Sequence, residues 1–122
     1  MEFIYFILCA RLRKIPSNDA PDFNAMIILG TIHGINLITL SLLVEPLVGV
    51  SFHSRGSVRL AGIFLGLVVY AIDYFWFYRR KEQIRARFEK GYPAVPLRYL
   101  AYPVAYFVAS FGAVIAVSTY IQ

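Results

Sequence analysis

Three long apolar runs dominate the chain, Phe23–Val44, Val58–Tyr78 and Leu97–Ile121, separated by short segments that hold most of the charge. A hydrocarbon core about 30 Å thick needs roughly 20 helical residues to cross it, and each run is that long. With no water in that core, every backbone N–H has to be bonded within its own segment, so the runs are expected to be helices. The pattern predicts an all-α integral membrane protein in which residues 1–122 form one membrane domain. Its three transmembrane helices cover 23–44, 58–78 and 97–121.

The shorter segments predict further elements. Residues 1–15 are apolar apart from Glu2 until Arg11, Arg13 and Lys14, too short to span and without the basic start of a signal peptide. An interfacial helix on the cytoplasmic leaflet is expected there, with half-insertion between the spans as the alternative. Pro16 to Pro21, with Ser17, Asn18 and Asp19, reads as a turn. Arg79–Lys90 has helix formers, no proline, and Gly91 to end it, so the second helix is expected to run on into the cytoplasm. Ile84 and Phe88 would give that extension an apolar edge. Pro96 suits the first turn of the third helix, whereas Pro103 is expected to kink it and free a carbonyl near residue 99.

Charge sets the expected orientation. Ten basic residues (Arg11, Arg13, Lys14, Arg79, Arg80, Lys81, Arg85, Arg87, Lys90 and Arg98) lie on one side of the spans, and only Arg55 and Arg59 on the other. Basic residues near span ends stay cytoplasmic, which predicts the N-terminus inside and the C-terminus outside, in a bacterial cytoplasmic membrane. The net charge of +5 therefore reads as topology anchors and contacts to anionic headgroups, not as a nucleic-acid surface. An apolar content of 59% and a mean hydropathy of +0.63 exceed what a soluble chain of this size could bury. A single cysteine, Cys9, excludes an intrachain disulfide.

Small residues recur at four-residue spacing in every span. Gly30 and Gly34, and Gly62 and Gly66, each form G-x-x-x-G, and Ala101, Ala105, Ala109 and Ala113 form a ladder in the third span. Residues four apart share a helix face, and small ones let backbones approach closely. Tight helix packing is predicted, within the chain and with a second copy or another membrane protein.

Polar residues at depth are the remaining candidates. His33 and Asn36 fall near the middle of the first span, on the face of Gly30 and Gly34, and Asp73 lies inside the cytoplasmic boundary of the second. An ionised carboxylate at such depth costs at least ~2.5 kcal/mol unless paired. Arg98 is the expected partner of Asp73, with Tyr102 or Tyr106 as alternative donors. A metal site would need more ligands than these, since His53 and Glu45 are assigned to the outer loop. No serine–histidine–acid set, zinc motif or phosphate-cradling glycine loop is present. The expectation is a non-enzymatic chain without cofactor or metal.

The outline of a short N-terminal helix, three spans and about 120 residues resembles bacterial diacylglycerol kinase, a small trimeric membrane enzyme. That family uses several glutamates and an asparagine near the membrane surface. Here the second span offers Asp73 alone, while Glu82 and Glu89 lie among arginines, so the resemblance stops at architecture. Two functional classes remain: a helix-packing subunit, accessory or immunity-type component, or a homo-oligomeric pore, small transporter or membrane-disrupting effector using His33, Asn36 and Asp73.

Overall fold

The computed structural model describes residues 1–48 and 55–121, all of the described elements being helical. Helix α1 covers Glu2–Leu12, α2 Pro21–Val48 and α3 Arg55–Asp73. A π-helical segment, Tyr74–Tyr78, continues α3, and α4 follows at Lys81–Glu89. A 3₁₀ turn at Leu97–Leu100 leads into α5, Ala101–Ile121. Three stretches, Pro21–Glu45, Leu60–Tyr78 and Leu97–Tyr120, are long and apolar enough to cross a membrane. This is the build of an integral membrane protein. His53 lies outside the described residues, and Glu45, expected in a loop, belongs to α2.

Helix α2 is the hub, packing against α1, α3 and α5. Its start is well specified. Pro21 occupies the first turn, where its missing N–H costs nothing, and Asp22 places a negative charge at the positive end of the helix. Just before it, Asn18 Oδ1 accepts from the Ala20 N–H at 3.3 Å and from Asn24 Nδ2 at 2.6 Å.

Helix α1 folds back along the first half of α2. Arg13 pairs with Asp22 at 2.6 Å, and the Tyr5 hydroxyl donates to the Asp22 carbonyl at 3.1 Å. Five consecutive residues of α1, Tyr5 to Cys9, are buried. At 3.6 residues per turn, five in a row cover the whole circumference. The helix is therefore enclosed by α2, α4 and the start of α5. Tyr5 stacks near Phe77, and Phe3 meets Phe88, Tyr92, Tyr99 and Tyr102.

The second span differs from the straight extension expected. After the π-helical segment, Arg80 adopts φ −98° and ψ 11°, which interrupts the helix before α4 begins. Neither glycine nor proline causes the break. Beyond the break α4 is seated on α1: Ile84 is buried, Phe88 packs on Phe3 and Phe6, and Arg80 and Arg87 both reach the Glu2 carboxylate. The apolar edge anticipated at Ile84 and Phe88 is thus used inside the chain.

Pro103, expected inside the third helix, stands at its start. Residues 97–100 are 3₁₀, with the Tyr99 N–H bonded to the Pro96 carbonyl at 3.1 Å, and the α-helix begins only at Ala101. Pro103 therefore stands in the first α-helical turn, where no intrahelical N–H bond is lost. It is buried, and with Tyr106, Ser110 and Val114 it forms the less exposed row of α5.

Candidate functional site

Helices α3 and α5 each pack on α2, and between them lies a cleft of about 500 Å³. His33 and Asn36 of α2, Asp73 at the end of α3 and Tyr106 of α5 line it, among apolar side chains that include Leu37, Val69 and Phe77. The rim residues Leu40, Ile72 and Trp76 are exposed, so the cleft opens sideways. The three polar residues singled out in the sequence, His33, Asn36 and Asp73, all line this cleft.

Their partners are other than expected. His33 Nδ1 lies 3.0 Å and 2.9 Å from the two carboxylate oxygens of Asp73, whose side chain is only 4% exposed. The imidazole ring stacks on Phe77 with centroids 6.2 Å apart, and meets Tyr106 edge-on at the same distance. Asn36 Nδ2 donates to the Tyr106 hydroxyl at 2.9 Å. Arg98, the predicted partner of Asp73, lies over the Tyr99 ring instead. The physical reason is adjacency: α3 packs on α2, so the carboxylate meets a side chain of α2 before any group at the base of α5.

Gly30 makes this pairing possible. A Cβ at that position would stand 2.6 Å and 2.7 Å from ring carbons of Tyr70 and 3.2 Å from Asp73 Oδ2. Removing the side chain lets α3 approach α2 closely enough for Tyr70 to reach the Thr31 hydroxyl at 3.0 Å. The other glycines of the two motifs behave differently. At Gly34, Gly62 and Gly66 an added Cβ would meet nothing within 4 Å. Together with Ser41 and Glu45 they border a second groove, of about 410 Å³, between α2 and α3. Ala101, Ala105, Ala109 and Ala113 are all exposed.

The basic residues after the second span form an ordered group. Arg79 lies over Phe75, Arg80 over Trp76 and Lys81 over Tyr78, each three or four residues on from its ring. Arg85 pairs with Glu89 at 3.4 Å, Arg80 with Glu2 at 3.2 Å, and Arg87 also with Glu2. Lys90 is exposed. Sequence reasoning missed the Glu2 clamp. Its signal was present, because a lone acid in an apolar stretch needs a counter-charge.

Cys9 is enclosed within α1, and burial pushes its thiol up to about 12. The same burial raises the Tyr5 hydroxyl, with the Cys9 side chain next in effect. Both groups stay neutral at ordinary pH. Among the described residues, no group of three or more histidine, cysteine, aspartate or glutamate side chains gathers as metal ligands. No protein-family model matches the chain, and neither a curated protein nor a solved structure matches it.

Proposed function

We propose that this is a non-enzymatic component of a membrane complex, packing against the transmembrane helices of further copies of itself or of another protein as a subunit, accessory or inhibitory partner. The observation that carries this reading is the alanine ladder. Helix α5 turns Pro103, Tyr106 and Ser110 toward the chain, while Ala101, Ala105, Ala109 and Ala113 remain exposed along its length. Lipid tails offer helices no hydrophobic drive to associate, so a face of small residues is useful where backbones approach closely. The open space at Gly34, Gly62 and Gly66 supports a second contact face of the same kind.

The orientation proposed is N-terminus inside and C-terminus outside in a bacterial cytoplasmic membrane, supported by the ten-to-two distribution of basic residues. Helices α1 and α4 then sit at the cytoplasmic boundary, α1 half-inserted among the spans, which its enclosure favours over a surface position. Exposed Arg79, Arg87 and Lys90 would meet anionic headgroups there. A conduit is less well supported, because the cleft holding His33, Asn36 and Asp73 opens sideways between α3 and α5.

Native mass spectrometry of the gently extracted complex tests the reading. A homo-oligomer, or a second polypeptide in fixed ratio, is expected, and Ala109→Leu should break it while leaving the chain inserted and helical. A monomeric mass from native membranes, or a complex indifferent to both Ala105→Leu and Ala109→Leu, would overturn it.

A further inference from the structure

The cleft between α3 and α5 contains hydrogen-bonding capacity that the chain itself does not use. In the neutral ring, the His33 Nδ1–H donates to Asp73 and leaves Nε2 with a lone pair; among the described residues Nε2 has no partner. The Tyr106 hydroxyl accepts from Asn36 Nδ2, which leaves its own proton to be donated, and Asn36 Oδ1 likewise has no partner among the described residues. One donor and two acceptors therefore border a cleft whose remaining wall is chiefly aliphatic and aromatic. Polar groups left without partners in hydrocarbon are costly, so an occupant that meets them is favoured.

The charge around the cleft narrows the class of that occupant. Asp73 is the acid at its floor, already paired with His33. No arginine or lysine lines the cleft, which Met1 also borders; Arg80 and Arg87 are engaged on Glu2 and Arg79 over Phe75. A phosphate or carboxylate head would meet the like charge of Asp73, with no arginine or lysine among the lining residues to offset it. A neutral hydroxyl suits the groups present, since one O–H can donate to Nε2 while its oxygen accepts from Tyr106. The exposed rim at Leu40, Ile72 and Trp76 gives lateral entry from the lipid phase and apolar wall for a hydrocarbon body.

We infer that the cleft is a binding site for the hydroxyl head of a neutral, hydrocarbon-bodied molecule, such as a glycerolipid with a free hydroxyl or a long-chain alcohol. It is carried by the cleft alone and does not depend on the helix-packing reading.

The test uses the full chain in nanodiscs and a diazirine-bearing diacylglycerol as photoprobe, with labelled peptides read by mass spectrometry. Labelling is expected to concentrate in the peptides that carry Ile72 and Trp76. Excess unlabelled diacylglycerol should compete, and competition by hexadecanol would show that the hydroxyl is read without the glycerol backbone, whereas its failure would assign the site to the glycerolipid. Tyr106→Phe and His33→Leu should each reduce labelling about three- to tenfold, the loss of one hydrogen bond, with helicity by circular dichroism unchanged. Equal competition by phosphatidic acid or by an analogue with its hydroxyl acetylated, or labelling that is absent or indifferent to both substitutions, would overturn the inference.

Discussion

Adding a single methyl group at Gly30 tests the central contact of the fold. In Gly30→Ala the new Cβ would stand 2.6 Å and 2.7 Å from the Tyr70 ring and 3.2 Å from Asp73 Oδ2. Carbon atoms pack favourably at about 3.5–4.0 Å, so the ring must retreat by roughly 1 Å. Tyr70 cannot do so freely while its hydroxyl bonds Thr31, and displacement of α3 draws Asp73 away from His33. Overpacking of this kind costs about 1–3 kcal/mol. Alanine also gains about 1 kcal/mol over glycine in helix propensity, which leaves a net loss of about 0–2 kcal/mol. Gly34→Ala is the matched control. It has the same propensity gain and no clash, because its Cβ meets nothing within 4 Å. The propensity term cancels between the two variants, and Gly30→Ala should be less stable than Gly34→Ala by about 1–3 kcal/mol. Reversible unfolding in mixed detergent–SDS micelles, followed by circular dichroism at protein concentrations where the chain is monomeric, measures that difference. Equal midpoints and slopes would refute the close approach of α3 to α2 at this position.

Four further outcomes are expected. Cys9 should resist maleimide at pH 7–8 in the folded chain and react once the chain is unfolded, because burial keeps it a thiol. Its folded value of about 12 stands above the ordinary 9.0, so stability from this group is complete below pH 9 and is lost as pH rises toward 12; alkaline titration of the unfolding midpoint reads that fall. Pro103→Ala should change stability by less than about 1 kcal/mol, where relief of an interior helix break would be worth about 3 kcal/mol. Glu2→Gln should weaken the hold of Arg80 and Arg87 on α1 by no more than about 1 kcal/mol, since both arginines are partly solvated, and hydrogen exchange in α1 should quicken accordingly.

The three spans were legible in the sequence because a run of apolar residues fixes both the length and the self-bonded backbone of a crossing helix. Legibility ended where tertiary contact decides. His33 and Asp73 were each singled out, but their pairing was not, since shared depth does not reveal which helices are neighbours; Arg98 lies near the base of α5 while α3 leans on α2. Gly30 and Gly34 have the same sequence signal and opposite surroundings, one against Tyr70 and the other open. The interruption at Arg80 has no local marker at all, and α4 beyond it is seated on α1. In α1 the apolar residues at consecutive positions, Tyr5 to Cys9, are the ones the other helices bury.

That enclosure sets the order in which the protein can be completed. Helix α1 leaves the ribosome before every partner that later covers it, and Phe3 cannot meet Tyr99 or Tyr102 until α2, α3 and α4 have been made. Helix α1 is thus made well before its surroundings are complete. Contacts so distant in sequence form slowly, and the apolar segment must be sheltered meanwhile by lipid or by the insertion machinery. A ribosome stalled before Tyr99 would leave Phe3 without two of the aromatic rings that cover it, and so open to labelling reagents.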